Sequence, residues 1–181
     1  FIQKERLIDP GCALFLGVSG GPDSVALRHV LAGLREALQI RSITLLHLNH
    51  RLRGEASDAD QDFVASLAER MGLECLVGSD DVRGFAAETG VSLEMAGRMC
   101  RHRFFQAPLA PGSGDCVELA HTANDQAEEA LLRLFRGTGP SGMAGMLPKT
   151  ARGIIRPLLF AWRSEILEYL EAGGHSFRED A

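Results

Sequence analysis

The segment that most constrains this chain is residues 17–24, which read Gly-Val-Ser-Gly-Gly-Pro-Asp-Ser. Residues 13–18 are apolar and predict a buried strand, and from residue 24 to 38 apolar residues recur at helical spacing. Two adjacent glycines let the backbone approach an anion, and the N-terminus of the following helix adds partial positive charge. The segment therefore predicts a phosphate-binding loop; the alternative is a simple turn in which Asp23 or Ser24 caps the helix.

The predicted chemistry of this loop rests on its backbone N–H groups, its hydroxyls and one carboxylate. The residues expected to hold a nucleotide are Ser19, Gly20, Gly21, Pro22, Asp23 and Ser24. A carboxylate beside a phosphate is repulsive unless a cation bridges them, so Asp23 is assigned to Mg²⁺. The chain contains neither a Gly-x-x-x-x-Gly-Lys-Ser/Thr loop nor a Gly-x-Gly-x-x-Gly turn. The predicted ligand is a metal-bound triphosphate in a different kind of phosphate loop.

The rest of the chain alternates between strand and helix patterns. Strands are predicted at residues 42–48, 73–77, 115–120 and 154–155, and helices at 58–71, 82–88, 93–105, 123–135 and 163–172. This alternation predicts an α/β fold with a doubly wound, mainly parallel sheet and helices on both faces. Ligands of such sheets bind beyond the carboxyl ends of the strands, so the loops after Val18, Leu48 and Ala120 are expected to converge.

Two details of the helices are also predicted. Ser57 precedes the helix at 58–71 and is its expected N-cap. The helix at 123–135 carries apolar residues at the spacing of one face. This face is expected to be a buried stripe formed by Ala127, Leu131, Leu134 and Phe135.

Composition limits the class of protein. A chain of 181 residues, 45% of them hydrophobic, is expected to form one domain with a single core. The net charge of −5 argues against a surface that binds nucleic acid throughout, because Lys and Arg must neutralise the phosphates; any polynucleotide contact must be local. No apolar stretch reaches the 18 residues of a membrane span, so we expect a cytoplasmic protein with no membrane partner. The four scattered cysteines predict neither a disulfide nor a metal framework.

A second group of polar residues surrounds the start of the helix at 123–135. His121, Asp125 and Glu128 are spaced by four and three residues, which places the two carboxylates on one helix face. Two carboxylates and an imidazole could hold a primary ammonium group and accept its proton. Each residue also has a simpler interpretation: Thr122 and Asp125 resemble a capping box, Glu128 a solvated residue, and His121 a satisfied strand-end histidine.

A third group lies on the helix at 93–105, where Glu94, Arg98 and Arg101 share one face. A guanidinium near the phosphate loop would neutralise charge as a phosphate group departs, and Arg98 is the predicted catalytic arginine. The alternative is an exposed ion pair between Glu94 and Arg98, worth a few tenths of a kcal/mol.

These segments together resemble one known family. Residues 19–24 match the Ser-Gly-Gly-x-Asp-Ser motif of the PP-loop ATP pyrophosphatases, a superfamily with the adenine nucleotide alpha hydrolase-like fold. Residues 47–54 resemble the His-x-Asn-His-Gly-Leu-Arg loop of tRNA(Ile)-lysidine synthases, and residues 121–128 resemble their His-x-x-Asp-Asp-Gln-x-Glu helix. Arg51 replaces the usual Gly of the first motif, and Asn124 replaces the usual Asp of the second.

The resemblance extends over essentially the whole chain. Further matches are Arg-Gly-Thr-Gly at 136–139, Gly-Met-Ala-Gly-Met at 142–146, Arg-Pro-Leu-Leu at 156–159 and Glu-Asp at 179–180. It implies that Asn49, His50 and Arg53 contribute to the ATP site. The chain begins at Phe1 and ends without a helix stop signal, so we expect residues 1–181 to be a single catalytic domain, separated from the C-terminal tRNA-binding domains of the family.

The reaction implied by the resemblance has two steps. ATP adenylates the wobble cytidine of a tRNA(Ile) with a CAU anticodon, and free L-lysine then displaces AMP to give lysidine. Mg²⁺ is the implied metal, and the oligomeric state, including a homodimer, stays open. The alternatives are another PP-loop enzyme, such as a tRNA cytidine thiolase or an amide-forming synthetase, and a module that binds ATP without chemistry.

Overall fold

The fold is built on one sheet of five parallel strands, seen in a computed structural model that describes residues 1–52, 54–110, 112–137 and 145–177. The strands are β1 (Ala13–Gly17), β2 (Ser42–Asn49), β3 (Glu74–Ser79), β4 (Cys116–Glu118) and β5 (Ile154–Ile155). Their order is β3-β2-β1-β4-β5, and every pair of neighbours is parallel. The chain therefore winds outward from β1 in both directions, and the order reverses between β1 and β4.

Helices cover both faces of this sheet. They are α1 (Pro22–Leu34), α2 (Glu55–Met71), α3 (Val82–Thr89), α4 (Leu93–Gln106), α5 (Ala123–Phe135) and α6 (Arg163–Ala172). The main core joins the strands to α1, α2 and α6 through residues such as Val25, Val64 and Ile166. On the opposite face α3 and α4 pack through Val82, Ala96 and Phe105. The predicted doubly wound α/β fold is confirmed.

Two predicted helix starts are wrong. Helix α1 begins at Pro22 rather than residue 24, because Pro has the dihedral angle that suits the first helical position and no N–H that needs an acceptor. Helix α2 begins at Glu55, and its N-cap is Gly54, at a φ of 53°. Ser57 is therefore not a cap: it lies buried in the first turn of α2. Glycine tolerates the positive φ that the chain needs here, which the capping pattern of side chains does not reveal.

Other element ends also differ from the prediction. Helix α1 ends at Leu34 instead of residue 38, because the chain then turns and Gln39 adopts a φ of 54°. Strand β4 is limited to Cys116–Glu118, where it pairs with the two residues of β5. The predicted bounds of α5, β5 and α6 agree with the structure.

The predicted burial of α5 is wrong. The four residues of the predicted stripe are all exposed: Ala127, Leu131, Leu134 and Phe135, the last with 83% of its surface accessible. Within the described part of the chain, no residue of α5 is buried. Apolar spacing predicts that a helix has an apolar face, but it does not identify what covers that face.

Some sequence predictions lie outside the described residues. These are Arg53, residues 138–139 and 142–144, and Glu179 with Asp180. Within the described part of the chain, no helix combines the length and apolarity needed to cross a membrane. The four cysteines are free thiols, and Cys12, Cys100 and Cys116 are buried.

Strand β4 places a carboxyl group in the main core. Glu118 is fully buried, and neither of its carboxyl oxygens has a hydrogen-bond partner among the described residues. Burial raises the pKa of Glu118 well above its usual range, because the charged form loses its hydration. Between the ordinary pKa of Glu and the raised pKa of Glu118, the folded state keeps this proton and the unfolded state releases it. The free energy of unfolding therefore falls as the pH rises through this range.

Replacing Glu118 with Met is expected to stabilise the domain at neutral pH by about 2 kcal/mol, because a buried unpaired polar group costs roughly 1–3 kcal/mol. The free energy of unfolding, measured with urea at pH 5 and pH 8, should fall less between these values in the variant than in the wild type. The exposed Glu88→Met serves as control. An equal loss of stability in wild type and Glu118→Met would contradict the assignment of a buried neutral acid.

Candidate active site

A cavity of about 540 Å³ lies at the carboxyl ends of the strands, where the loops after β1, β2 and β4 meet. Its lining includes Ser19, Asp23, His50, His121 and Asp125, which are far apart in sequence. The cavity sits at the reversal of strand order between β1 and β4, the usual ligand position in doubly wound sheets. The predicted convergence of these loops is confirmed.

The phosphate loop forms one wall of the cavity. Gly20 has a φ of 92°, a conformation that residues with a side chain rarely adopt, and α1 begins two residues later. Within the described part of the chain, the N-cap of α1 is Gly21, which offers no side-chain cap to the N–H groups of the first turn. The Ser24 hydroxyl donates to the carbonyl of Gly21 over 2.9 Å, which braces the turn. The loop thus presents backbone donors and a helix N-terminus to the cavity.

Asp23 is half-buried in the first turn of α1 and lines the cavity. Its Oδ2 lies 3.8 Å from Nη1 of Arg163, at the start of α6. The backbone N–H of Arg163 donates to Oδ1 of Asn124 over 2.9 Å. Asn124, which departs from the family motif, therefore joins the start of α6 to the start of α5.

The loop after β2 is ordered by Asn49, whose amide is fully engaged. Its Nδ2 donates to Asp58 at 2.9 Å and to Gln61 at 3.2 Å, and its Oδ1 accepts from the N–H of Arg51 at 2.9 Å. Arg51 has a φ of 53°, in the left-handed region that costs a residue with a Cβ roughly 1–2 kcal/mol. A glycine at this position would adopt the same conformation without that cost. Asn49 lines the cavity and also shapes its loop.

His47, at the end of β2, connects two walls of the site. Its Nδ1 donates to the carbonyl of Val18 over 2.9 Å, and only 6% of the residue is exposed. Val18 in turn donates its N–H to the carbonyl of Leu46. These bonds fix the phosphate loop against β2, so His47 is a structural member of the site.

Two histidines of the cavity contact arginines. Nη2 of Arg101 lies 3.3 Å from Nε2 of His50, and Nε of Arg156 donates to Nδ1 of His121 over 3.2 Å. Burial lowers the pKa of His50 first, followed by the charge of Arg101; Asp80 acts in the opposite direction. Burial likewise lowers the pKa of His121, followed by the charge of Arg156. Both imidazoles are therefore neutral at physiological pH.

Asp125 forms the predicted capping box at the start of α5. Its Oδ2 accepts from the backbone N–H and the hydroxyl of Thr122, at 2.7 and 2.8 Å, and Thr122 is the N-cap of the helix. Asp125 is half-buried and also lines the cavity. The simple structural interpretation of this residue is confirmed, and its place in the cavity leaves a second role open.

Two predicted catalytic residues lie outside the cavity lining. Glu128 is exposed on α5, and Arg98 lines a separate hollow on the outer surface of α4. Arg98 still lies close enough to lower the pKa values of His121 and Arg156 by its charge. Arg101, three residues along α4, lines the cavity itself. Helical spacing placed both arginines near one face, and only the packing of α4 decided which one enters the site.

Sequence reasoning missed the contacts of Arg156 and Arg163. Arg156 follows β5 and was recognised only as part of an Arg-Pro-Leu-Leu match. Parallel pairing of β4 with β5 brings it beside His121, and a second bond to the carbonyl of Leu147, at 2.8 Å, holds it there. Arg156 directly follows a strand of a parallel sheet, and this position was the signal that could have indicated a residue of the site. Arg163 begins a helix, and nothing in its local sequence indicates Asp23 as a neighbour.

The predicted metal can be compared with the donors present. The described residues contain no group of three or more His, Cys, Asp or Glu side chains that could hold a metal ion. Mg²⁺ in nucleotide sites is usually bound by one or two carboxylates, with phosphates and water completing its coordination. A single carboxylate, Asp23, at a helix N-terminus fits that pattern.

The reversed strand order and the Ser-Gly-Gly-Pro-Asp-Ser loop at its centre define a nucleotide-binding α/β domain of the ATP pyrophosphatase class. The chain belongs to the PP-loop family, because residues 2–181 match the model of the PP-loop domain.

Several curated relatives of this chain carry the same name. It is 40% identical over 180 residues to the tRNA(Ile)-lysidine synthase of Clostridium perfringens, covering 99% of this chain and 38% of that protein. The chain is 46% identical over 172 residues to the synthase of Solibacter usitatus, and the match covers 94% of this chain and 37% of that protein. The chain is 38% identical over 185 residues to the synthase of Bacillus subtilis, and the match covers 99% of this chain and 38% of that protein. The chain thus spans somewhat more than a third of the length of these relatives.

Solved structures confirm the fold. The U34-tRNA thiolase NcsA from Methanococcus maripaludis superposes with a TM-score of 0.78 at 16% identity, covering 99% of this chain and 64% of the thiolase chain. The NAD⁺ synthetase from Burkholderia pseudomallei gives a TM-score of 0.52 at 16% identity, covering 91% and 67%. At these identities the similarity establishes architecture alone.

Proposed function

We propose that this chain is the catalytic domain of a tRNA(Ile)-lysidine synthase, a ligase that forms a carbon–nitrogen bond. The supporting observation is that the phosphate loop, His121 and Asp125 line one cavity, in a chain 38–46% identical to such enzymes over nearly its whole length. The proposed substrates are ATP, free L-lysine and a tRNA(Ile) with a CAU anticodon. A cytoplasmic location, predicted from the sequence, goes with a tRNA substrate.

In the first proposed step, the C2 oxygen of the wobble cytidine attacks the α-phosphorus of ATP and pyrophosphate leaves. The backbone donors of residues 19–24 and the dipole of α1 bind the phosphates. Mg²⁺, held by Asp23 when bound, would neutralise phosphate charge. Arg101 and Arg98 add positive charge on the α4 side of the site, where negative charge develops during the reaction.

In the second proposed step, the lysine amine attacks C2, the new carbon–nitrogen bond forms, and AMP leaves with the C2 oxygen. Asp125, with Glu128 one helical turn further along α5, would attract the ammonium group and accept its proton. The wobble base would enter the cavity turned out of its stack, as is common when proteins recognise unpaired RNA bases. Arg101 and Arg163, which line the cavity, suit local contacts to RNA phosphates, although the chain carries a net charge of −5.

The thiolase alternative is not favoured. The chain has no Cys-x-x-Cys pair, and its four cysteines are free thiols. Nothing in the cavity lining offers a sulfur nucleophile, since the described lining residues include no cysteine. The lysidine assignment needs no such group.

The proposal is tested with ATP, labelled lysine, a CAU-anticodon tRNA and the parent protein, by which we mean this chain within a protein of the length of its relatives. Labelled lysine should enter the tRNA in proportion to AMP and pyrophosphate released, and a tRNA with another wobble base serves as control. Incorporation of sulfur, or of a different amino acid, would support the alternative enzyme. Release of ADP would contradict PP-loop chemistry altogether.

A further inference from the structure

Two arginine–histidine contacts flank the cavity on different elements. On one side Arg101 of α4 lies 3.3 Å from Nε2 of His50, in the loop after β2. On the other side Arg156, after β5, donates through Nε to Nδ1 of His121, after β4, over 3.2 Å. Both histidines line the same cavity as the phosphate loop. The same type of contact therefore occurs twice around one site.

The chemistry of arginine fixes the protonation of both rings. A guanidinium has only donors, and it stays charged in proteins, so the imidazole nitrogen that faces it must be an unprotonated acceptor. A neutral imidazole carries one proton, which must then reside on the other nitrogen. His50 is accordingly protonated on Nδ1, and His121 is protonated on Nε2. Protonating the acceptor nitrogen of either ring would set two donors and two positive charges against each other.

The surroundings of the two rings agree with this assignment. Nδ1 of His50 is buried and has no hydrogen-bond partner among the described residues, so the proton assigned to it meets no acceptor among them. The other charges near His50 come from His47 and Asp80, and only Asp80 favours the protonated ring. His121 faces Arg98 and Arg101 in addition to Arg156, and among these charged neighbours only Asp125 favours protonation.

We propose that Arg101 and Arg156 are positioning residues that hold His50 and His121 as neutral hydrogen-bond donors to phosphoryl or carbonyl oxygens of the substrates. His50 donates through Nδ1–H and His121 through Nε2–H. Neither imidazole then accepts the proton of the attacking amine, and this task belongs to the carboxylates of α5. The identity of the acceptor oxygens rests on the proposed function, whereas the tautomers follow from the arginine contacts alone.

The tautomers can be measured directly in this chain by nitrogen NMR of the histidine rings. The chain has six histidines, and His50→Asn and His121→Asn variants assign the two sets of signals. At pH 7 the wild type should show His50 protonated only on Nδ1 and His121 protonated only on Nε2. The opposite tautomer, or a doubly protonated ring at this pH, would overturn the proposal for that histidine without reference to any activity.

Variants of Arg156 test whether it sets the tautomer of His121. Arg156→Met should produce a mixture of tautomers and a higher ring pKa, and Arg156→Lys should restore part of the Nε2–H form, because Lys also donates. Arg152→Met, which replaces an exposed arginine just before β5, is the matched control and should leave the signals unchanged. An unchanged tautomer in folded Arg156→Met would show that the arginine does not position the ring. If that variant does not fold, the wild-type spectrum still decides.

The donor role of His121 is tested by two substitutions in the parent protein. The Gln amide nitrogen can occupy the place of Nε2, whereas the Asn amide nitrogen lies near that of Nδ1. His121→Gln should therefore keep roughly ten- to a hundredfold more lysine transfer than His121→Asn, given the usual effect of one transition-state donor. Equal turnover would reject the donor role. Confirmed tautomers in a parent protein that transfers no lysine would refute the proposed function and leave the positioning inference intact.

Discussion

Replacing Asp125 with Asn is expected to lower lysine transfer by about a hundredfold or more while leaving the domain folded. The substitution retains one oxygen, which can still accept the bonds from the N–H and hydroxyl of Thr122. The cap therefore survives at a cost of about 1 kcal/mol or less. The negative charge facing the cavity is lost, and a missing preorganised charge costs several kcal/mol of transition-state stabilisation. Turnover is measured in the parent protein, and folding by circular dichroism.

The matched control for this variant is Asp81→Asn. Asp81 is the N-cap of α3, where it accepts from the N–H of Gly84, and it lies outside the cavity lining. Both variants should lose similar, small amounts of stability, but only Asp125→Asn should lose turnover. Wild-type turnover in Asp125→Asn, with ATP binding intact, would limit Asp125 to its capping role.

Replacing Asp23 and Ser24 together with Ala is expected to weaken the binding of ATP with Mg²⁺ by at least about a hundredfold. Loss of groups that merely orient metal ligands typically costs 10–100-fold in affinity, and here a direct carboxylate ligand is removed. The variant also loses the hydroxyl that braces Gly21. Affinity is measured by calorimetry and by the fluorescence of Trp162, the single tryptophan of the chain, which directly precedes the cavity residue Arg163.

The control for this double variant is Asp62→Ala with Ser66→Ala, a similar pair on the exposed surface of α2. It should bind ATP like the wild type. Chelation of Mg²⁺ should weaken binding to the wild type and have little further effect on the Asp23 and Ser24 variant. Undiminished affinity in that variant would remove residues 23 and 24 from the nucleotide site.

Local patterns in the sequence determined most of the framework of this protein. The phosphate loop was predicted because its glycines, its flanking strand and its helix are contiguous, so no distant contact is needed to recognise them. Strand and helix alternation predicted the parallel sheet, and with it the cavity, because parallel strands carry their carboxyl ends to one edge. The capping box joins Thr122 and Asp125, which are only three positions apart, and it was equally visible in the sequence.

Only the tertiary structure decided which side chains meet at that edge and which surfaces are covered. The contacts of Arg156 with His121 and of Arg163 with Asp23 join residues more than thirty positions apart, through strand pairing and helix packing that no local pattern specifies. The exposure of Phe135 was likewise invisible, because periodicity describes the face of a helix and not its neighbour. Local sequence patterns therefore determined which chemical groups each segment carries. The partners of each functional group depended on how distant segments pack.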